Sequence, residues 1–545
     1  MQIPAPAAAR PGGGFSYKWV VAMVVIFGLF MTVLDGTIVN VAIPRLQNAF
    51  GANLNSVQWV LTGYTLAQGV ATPLTAFLSD RIGTKRFYLL SLLGFTVGSL
   101  LCGFALNLPM LIFFRVLQGA TGAFLSPLAI TMLYHEFPRR ERGTAMGVLG
   151  IPILLAPAFG PTLGGYIVTF ANWPLIFFIN VPIGIAGLIM GAIFLHEAPT
   201  LSGIKFDLPG FILSATGLAT LLYGLSDAST DGWGSSTVLG FLAVGTILLI
   251  AFVILELRIA RNGGQPLLDL RVFGIGTFTS SNIASILVIF ALYGGLFLVP
   301  VYLQNIRGLS AYQSGLLLLP QAFASMLAIV VGGRLVDRLG VRAVVIPGLI
   351  ILAISLFQFT NLNLTIPYTN FQLLLILRGL GIGLCLQPLT VSSLVDVKPK
   401  SLGQATAVNT TLRFVMSSLA VSTIATLVQS QTKVHYDHLA ELVTPSSKLG
   451  QLIPLLQGAF MQHGASQAAA YTAALEEISG LLQRQGAVLA MQDAFWLTLV
   501  LAIAAIIASM FVGGRKKPEQ IEEIPMTEAE KEEQQKALEE AAMAI

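Results

Sequence analysis

The sequence predicts an all-α polytopic membrane protein, and three observations lead to that fold class. The chain of 545 residues is 55% hydrophobic and only 10% charged, whereas soluble domains carry about 25% charged residues. The apolar residues form long runs, many close to the roughly 20 residues that a helix needs to cross a bilayer. Short motifs of the first part of the chain also recur, in order, in the last part. We therefore exclude a soluble globular protein, and we do not read the net charge of +4 as a sign of nucleic-acid binding.

Fourteen candidate spans follow the apolar runs. Their approximate bounds are 18–42, 57–79, 86–106, 109–134, 143–169, 174–195, 208–226, 236–257, 278–304, 312–334, 342–361, 370–395, 403–428 and 491–513. Lys18 leads directly into a long span that contains Asp35, which is not the pattern of a cleavable signal peptide.

The distribution of Lys and Arg predicts the orientation. Cytoplasmic loops carry an excess of these residues, and here they cluster near both termini and in the loops after the second, fourth and tenth spans. The opposite side holds only Arg45, Arg307, Lys433, Lys448 and Arg484. We expect a multi-pass protein of the cell (inner) membrane with both termini in the cytoplasm.

Internal repetition predicts the domain organisation. "FLSDRIGTKR" after span two resembles "GRLVDRLGVR" after span ten, and "FFRVLQGATG" in span four resembles "LILRGLGIG" in span twelve. The offset of eight spans indicates two six-helix halves with two inserted central helices, and internal repeats of this kind are typical of secondary transporters. The predicted units are a cytoplasmic tail 1–17, a first half 18–195, inserted helices and linkers 196–270, a second half 271–514 and a cytoplasmic acidic tail 515–545.

Two segments lie outside this repeat. Spans seven and eight are interpreted as free of interior charge, and hence as a spacer or lipid-facing scaffold. Residues 429–490 form a long extracytoplasmic segment within the second half, where "KLGQLIPLLQGAF" and "AAYTAALEEISGLLQR" predict short amphipathic helices.

Charged residues inside spans are costly and usually face a cavity or a partner. Asp35 in span one is the one acid placed clearly within the membrane core, and Arg115 lies in span four. Burial disfavours a charged carboxylate and a nearby cation favours it, so an acid between these two effects can load and release a proton. The alternatives are a structural pair of Asp35 with Arg115, or an Arg115 that bonds helix carbonyls.

Charged residues of the repeated loop motif abut span ends. Asp80, Arg81 and Gly83 follow span two, and Asp337 and Arg338 follow span ten. An acid there can cap the positive N-terminus of the next helix, and a base can bridge to a neighbouring helix. We expect a latch for one conformation rather than contact with substrate; solvated loop charges are the alternative.

A substrate cavity is expected at the midplane between the halves. Polar and aromatic residues inside the spans are its candidate lining, and each could instead make an ordinary interhelical hydrogen bond. The candidates are Trp59, Tyr64, Gln68, Gln118, Asn180, Tyr293, Gln321, Gln387, Asn409 and Arg413. Such groups favour large amphiphilic molecules as substrates, and Asp35 adds an attraction for lipophilic cations.

Other chemistry has little support. The five histidines make no metal-ligand pattern, Cys102 and Cys385 lie in apolar runs, and no G-x-x-x-x-G-K-[ST] loop is present. We expect no catalytic residue, no metal and no cofactor, with protons as the coupling ion, and we expect the protein not to be an enzyme.

The motifs together resemble those of a known family. "LDGTIVNVAIP", "DRIGTKR", "RVLQGATG" and "GPTLGG", in spans one, four and five and after span two, are similar to signatures of the major facilitator superfamily. Fourteen spans and "WPLIFFINVPIGI" resemble its drug:proton antiporter branch of the EmrB/QacA type. The resemblance implies the major facilitator fold.

The resemblance also implies residue roles. Asp35 would be the proton-coupling acid with Arg115 as its partner, and Asp80 with Arg81 would belong to the latch. Gly160, Pro161, Gly164 and Gly165 would be the antiporter element, in a span that bends at its prolines and packs against a second-half helix. One departure is Ala76, where the family usually has glycine and the second copy has Gly333, so we expect a looser helix approach in the first half.

The expected function is proton-coupled efflux of hydrophobic or cationic compounds by alternating access, with membrane lipids around it. Two alternatives share the fold: export of a dedicated metabolite, lipid or siderophore, and the inner-membrane part of a multi-component pump, with an extracytoplasmic adaptor docked on residues 429–490. A membrane enzyme or lipid scramblase is a third, from a different class. The absence of catalytic constellations within the spans weighs against the enzyme, and scrambling would need no proton gradient.

Overall fold

A computed structural model describes residues 16–52, 54–197, 206–398 and 401–513. Most of the predicted tail 1–17 and all of the acidic tail 515–545 lie outside the described residues. Within the described ranges, all regular secondary structure is helical.

The helices follow the predicted order of spans. The first half contains α1 (Tyr17–Phe50), α2 (Leu54–Ala71), α3 (Thr75–Ile82), α4 (Thr84–Gly103), α5 (Leu108–Gly122), α6 (Leu125–Glu136), α7 (Arg142–Phe170), α8 (Leu175–Phe178) and α9 (Asn180–Phe194). The inserted helices are α10 (Leu208–Asp231) and α11 (Ser236–Arg261). The second half contains α12 (Gly276–Val301), α13 (Ala311–Leu339), α14 (Val341–Phe359), α15 (Tyr368–Leu394), α16 (Leu402–Glu441), α17 (Lys448–Gln462) and α18 (Gln467–Ser509).

The all-α polytopic prediction is confirmed. Thirteen helical segments of the described chain are long and apolar enough to cross a membrane. The remaining predicted span, 57–79, is divided into α2 and α3 by a 3-10 turn at Thr72–Leu74. Pro73 lies in that turn, where its missing N–H and fixed φ interrupt α-helical hydrogen bonding.

Two helices extend far beyond a bilayer. α16 has 40 residues and α18 has 43, which at 1.5 Å per residue is about 60 Å or more, twice the hydrocarbon thickness. The segment 429–490 is therefore built from the end of α16, the separate helix α17 and the start of α18. The prediction of a short helix at "AAYTAALEEISGLLQR" was wrong, because that stretch continues without a break into the last span. We call the end of the bundle that is formed by the end of α16, by α17 and by the start of α18 the hairpin face.

The opposite end carries the loop motifs and the basic residues, and we call it the basic face. Lys18 at the start of α1 pairs there with Glu141 before α7. Arg342 at the start of α14 donates to the Val512 carbonyl after α18. The start of α1 and the end of α18 therefore lie on the same face.

The inserted helices are more than a spacer. α10 packs against α2 and α16, one helix from each half: the rings of Trp59 and Tyr223 stack at 5.7 Å, and Thr426 Oγ1 donates to the Ala228 carbonyl at 2.9 Å. The interpretation that these spans lack interior charge was wrong, because Glu256 of α11 is 1% exposed. Its Oε2 accepts a hydrogen bond from the Leu268 amide at 3.3 Å.

α7 and α13 join the two halves along most of their length. Near the basic face, a Cβ on Gly147 would lie 2.8 Å from the Ile329 carbonyl. Near the hairpin face, a Cβ on Gly165 would lie 3.0 Å from the Tyr312 amide nitrogen. Small residues let these backbones approach closely, and the contact forms one wall of the space between the halves.

Candidate functional site: a buried ion pair beside a central cavity

A cavity of about 370 Å³ lies between the halves. Its first-half wall comes from α1, α2, α7 and the α5–α6 junction, and its second-half wall comes from α12, α13, α15 and α16. Of the predicted lining residues, the structure places five on this cavity: Tyr64, Gln68, Tyr293, Gln321 and Arg413. The volume and the mixed apolar and polar lining are those of a small-molecule site.

The other five predicted residues are not among those that line it. Trp59 is 40% exposed and faces α10. Asn409 donates to Ser393 Oγ at 2.9 Å, and Gln387 is buried where α15 meets α7 at Gly150. The remaining two, Gln118 and Asn180, hold Asp35. The polarity of a residue within a span predicts that it lies in the protein interior. It does not predict whether its side chain faces the cavity or a neighbouring helix.

Asp35 is completely buried and bound by three side chains of other helices. Its Oδ2 pairs with Arg115 Nη1. Its Oδ1 accepts from Gln118 Nε2 at 3.1 Å and from Asn180 Nδ2 at 2.9 Å. This arrangement fits the ionised carboxylate, because all three partners donate to it.

Arg115 is also held from several sides. Its Nε donates to the Val60 carbonyl at 3.1 Å, and its Nη1 donates to Gln118 Oε1 at 2.7 Å. Its Nη2 is a buried donor without a partner in the described chain. Both sequence interpretations of Arg115 therefore hold, since it pairs with Asp35 and also bonds a helix carbonyl.

Tyr64 separates this ion pair from the cavity. Its ring lies over the Arg115 guanidinium at 3.9 Å, and the same side chain lines the cavity. Its hydroxyl donates to the Thr32 carbonyl at 3.3 Å and accepts from Gln68 Nε2 at 3.0 Å. One aromatic side chain thus stands between the buried pair and the space that connects the halves.

Sequence reasoning missed Ser99 of α4. Its Oγ accepts from Asn180 Nδ2 at 3.0 Å and donates to the Phe177 carbonyl at 2.9 Å. This orients the amide that binds Asp35. The available signal was a polar residue in the interior of span three, which is weak because serine is common in transmembrane helices.

The second loop motif joins the halves at the basic face. Asp337 Oδ1 accepts from the Gly143 amide at 2.8 Å, and its Oδ2 accepts from the amide and hydroxyl of Thr144 at 2.9 and 2.6 Å. The carboxylate therefore caps α7 of the first half, where the positive helix end favours it. The expectation that it caps the next helix, α14, was wrong.

The first loop motif is arranged differently. No hydrogen bond to Asp80 is found in the described chain, and burial raises the pKa of this carboxyl to about 6. The N-terminus of α4, the next helix, is instead bound by Glu197, which accepts from the Lys85 and Arg86 amides at 3.0 and 3.1 Å. The expectation that Asp80 caps that helix was therefore wrong as well.

The two loop motifs contain other residues next to these carboxylates. Gly83 has φ 99°, in the region that favours glycine. Arg81 and Arg338 are exposed. The expected difference in helix approach is present. At Gly333, α13 lies so close to α7 that an added Cβ would collide with the Gly143 carbonyl. At Ala76, α3 lies farther from α16, because a Cβ built on Gly403 would be 3.9 Å from the Ala76 Cβ.

The glycine-rich element of α7 packs against two helices, α1 and α13. A Cβ on Gly160 would collide with Thr37 Oγ1, and one on Gly164 would lie 2.8 Å from Ile38 Cγ1. These α1 residues follow Asp35 closely. Gly165 and Thr162 of the element meet α13 of the second half, where a Cβ on Gly315 would collide with Thr162 Oγ1. The span therefore packs against a second-half helix as expected, although Gly160 and Gly164 themselves lie against α1. Helix α7 is continuous through Pro152, Pro157 and Pro161.

The second half has two interior arginines in contrasting settings. Arg378 is completely buried, and its Nη2 donates to the Ala291 and Leu292 carbonyls at 3.2 and 2.8 Å. Arg413 lines the cavity, its Nη2 donates to Thr390 Oγ1, and its Nε has no partner in the described chain. No Asp or Glu is among the residues that line this cavity.

These features define a class of protein. A polytopic helical bundle with a cavity that both halves line has the architecture of a secondary transporter.

Comparisons with known proteins agree with this class. The family model "Major Facilitator Superfamily" matches residues 25–421. The chain is 34% identical to the Bacillus subtilis "Uncharacterized MFS-type transporter YhcA", over 94% of this chain and 97% of that one. It is 32% identical to "Lincomycin resistance protein LmrB" of Listeria innocua (79% and 91%), and 31% identical to "Multidrug resistance protein B homolog" of Mycobacterium tuberculosis strain H37Rv (78% and 78%).

Among solved structures, a double-tryptophan mutant of XylE superposes with a TM-score of 0.57 over 92% of this chain and 97% of that one. At 13% identity this likeness shows the fold alone. The chain belongs to the major facilitator superfamily.

Proposed function

We propose that this protein exports amphiphilic compounds from the cell in exchange for protons by alternating access. One observation carries the proposal: the fully buried Asp35–Arg115 pair lies one side chain away from a cavity that both halves line. An ionisable pair inside the membrane is a functional site by default. Its place beside the cavity supports coupling between proton loading and access to the cavity.

The coupling would follow from charge. While Asp35 is ionised, Arg115 has its counter-charge and the first-half helices are held together. Protonation of Asp35 removes that counter-charge and leaves a buried cation, and breaking a buried pair costs about 3–5 kcal/mol. Arg115 then gains from a rearrangement that hydrates it or moves Tyr64. Proton loading would thus bias the two halves toward their other arrangement.

The basic face would be the cytoplasmic side, because it holds most of the Lys and Arg residues. Both termini would then lie in the cytoplasm of a cell with this protein in its inner membrane. The Asp337 cap on α7 would hold the basic face closed, and its release would accompany opening toward the cytoplasm. No cofactor enters this proposal, and the proton is the coupling ion.

The substrates are proposed to be hydrophobic or amphiphilic compounds. The relatives named for lincomycin and multidrug resistance support this class. Export of one dedicated metabolite, lipid or siderophore is the alternative. A panel of unrelated dyes and antibiotics separates the two: transport of several chemically unrelated compounds supports multidrug efflux, and transport of none contradicts it.

The hairpin face supports a second proposal about assembly. α16, α17 and α18 form a helical projection with exposed apolar side chains, including Val434 at 57% and Leu455 at 67%. An extracytoplasmic adaptor protein would cover such a surface and make this chain one part of a larger pump. Co-purification of the intact complex from native membranes tests this, and transport by the isolated protein with no added partner shows that the adaptor is dispensable.

The decisive experiment on function uses proteoliposomes with an imposed pH gradient. Wild type should accumulate panel compounds in proportion to the gradient, and Asp35→Asn should lose that dependence. Asp269→Asn is the matched control, because it removes a carboxylate that pairs with Arg271 outside the membrane core. Gradient-independent transport by wild type, or full gradient dependence in Asp35→Asn, would overturn the proposal.

A further inference from the structure

The cavity carries a positive charge and no negative one. Arg413 of α16 is the one charged residue among those that line it. Asp35, the acid that could attract cations, does not line the cavity, and its two oxygens accept hydrogen bonds from three side chains. We propose that Arg413 binds an anionic oxygen group of the substrate, so that the cavity prefers amphiphiles with a carboxylate, sulfonate or phosphate over cations. This inference rests on the proposed export function and names the substrate class of the same site.

Arg413 is free to accept such a group. Its Nη2 donates to Thr390 Oγ1, its Nε is a buried donor without a partner, and no ion pair to it is found in the described residues. A guanidinium has five N–H donors arranged in a planar fork that fits two oxygens of one anion. A buried cation without a counter-charge is costly, and an entering anion would supply both charge and hydrogen-bond acceptors.

Arg378 shows what a purely structural arginine looks like in this half. It is completely buried, and its guanidinium donates to two backbone carbonyls of α12. It does not line the cavity. The Nε of each arginine is a buried donor without a partner in the described residues. Arg413 differs because its guanidinium donates to one side-chain hydroxyl, and not to backbone carbonyls, and because its side chain borders the cavity. The contrast assigns a ligand-facing role to Arg413 and a packing role to Arg378.

The opposite wall accepts the rest of an amphiphile. Leu29 and Val33 of α1 and Ile153 and Leu154 of α7 line the first-half side. An amphiphile would therefore bind with its anionic group on α16 and its hydrophobic body against α1 and α7. Binding in this orientation would bridge the two halves.

Binding of three probes that differ in charge tests the inference. The probes are 9-anthracenecarboxylate, 9-anthracenecarboxamide and 9-(aminomethyl)anthracene, which share one ring system and are anionic, neutral and cationic at pH 7. Affinities are measured by calorimetry on purified full-length protein in lipid nanodiscs. Wild type should bind the carboxylate roughly tenfold or more tighter than the amide, because hydrogen bonds to charged groups contribute more than neutral ones. The ammonium probe should bind weakest.

Variants separate a binding role from a folding role. Arg413→Gln should bring the carboxylate down to the affinity of the amide, and Arg413→Lys should keep a preference for the carboxylate. Arg378→Gln is the matched control: it removes a buried cation that does not line the cavity, and it should keep the carboxylate preference. Gel filtration and thermal unfolding verify that each variant is folded.

The outcomes also separate this inference from the proposed function. Three results would overturn the role of Arg413 without affecting gradient-driven transport. They are equal affinities of wild type for the three probes, a preference for the ammonium probe, and a carboxylate preference that persists in Arg413→Gln. Conversely, Arg413-dependent binding of the carboxylate without any gradient-driven transport of the compound panel would overturn the proposed export and not the anion site.

Discussion

Asp35 is held by more donors than a simple ion pair needs. Arg115, Gln118 and Asn180 all donate to its two oxygens, and none of these side chains belongs to α1. The carboxylate thereby ties α1 to α5 and α9. At the scale of single residues, protonation of Asp35 would therefore weaken three contacts at once, and in the proposed mechanism this would couple the proton to helix packing.

Tyr64 should act as a barrier between the cavity and the ion pair. Because its ring covers the Arg115 guanidinium at 3.9 Å, Tyr64→Ala should let water reach the pair and increase proton leak without substrate. Tyr64→Phe keeps the ring and loses only the hydroxyl contacts, so its leak should stay near wild type. Pyranine trapped in proteoliposomes reports the leak, and equal rates in all three proteins would contradict the barrier.

The sequence identified Asp35 and Arg115 because ionised groups are rare inside spans. It did not identify their neutral partners. Gln118 and Asn180 were expected in the cavity, and Ser99 was missed, because neutral polar residues are common in membrane helices and their partners are distant in sequence. Which of them meet depends on helix rotation and packing, which periodicity alone does not determine.

At the scale of elements, α7 contacts one helix of each half, α1 and α13. Gly160 and Gly164 lie against α1 just after Asp35, whereas Gly165 and Gly147 lie against α13 of the other half. A displacement of α7 relative to α13 would therefore also displace the α1 segment that follows Asp35. In the proposed mechanism, this contact would link proton loading to the interface between the halves.

Gly164→Leu should impair transport more than folding. A Cβ at this position would lie 2.8 Å from Ile38 Cγ1 and 3.0 Å from the Ile38 carbonyl, and overpacking of this kind costs about 1–3 kcal/mol. Folded protein should be recovered with a thermal midpoint lowered by a few degrees and with transport strongly reduced. Gly480→Ala is the control, since nothing lies within 4 Å of its added Cβ. Reduced yield with normal transport per molecule would indicate a packing role only.

Element existence was largely predictable, and element ends were not. Apolar runs identified the spans because hydrophobic length is fixed by the bilayer. The extension of α16 and α18 beyond the membrane was missed, because the segment 429–490 is polar enough to resemble a loop with short helices. The interruption between α2 and α3 was also missed, although Pro73 was a visible signal.

At the scale of the whole molecule, the repeated motifs are used unequally. Asp337 makes three hydrogen bonds to the start of α7, whereas no hydrogen bond to Asp80 is found in the described residues. Asp80 lies on α3, which packs near Gly403 of α16. The repeat predicted that both loops act as latches, and the structure shows contact across the halves for the second carboxylate.

Asp80 should make the contact between α3 and α16 at the basic face depend on pH. Burial raises its pKa from 3.8 to about 6 in this structure, so the protonated form favours the closed arrangement. As pH rises from about 4 to about 6 the carboxyl ionises and closure weakens, and above that range the effect is constant. Spin labels at Arg86 and Lys398 report the distance across the interface. The closed fraction should fall over this range in wild type and fall much less in Asp80→Asn; identical profiles would contradict the role of Asp80.

The two-half organisation is the feature that sequence repetition predicts well, since equivalent motifs occupy equivalent helix ends. The asymmetry between halves is harder to predict. Span nine, which corresponds to span one in the repeat, has no acid at the position of Asp35, and this favours proton handling in the first half. The position of Arg413 on the second-half wall follows only from packing. In our proposals, the buried acid of the first half would serve proton coupling, and Arg413 of the second half would serve ligand binding.

The central claim is exchange of substrate for protons, and the most direct test is whether a substrate gradient drives proton movement. Proteoliposomes with trapped pyranine and membrane potential clamped by valinomycin and K⁺ receive a gradient of a transported panel compound, with no initial pH difference. Exchange predicts that wild type moves protons opposite to the compound, and that Asp35→Asn produces no pH change. Transport of the compound by wild type without any change in internal pH would contradict proton exchange.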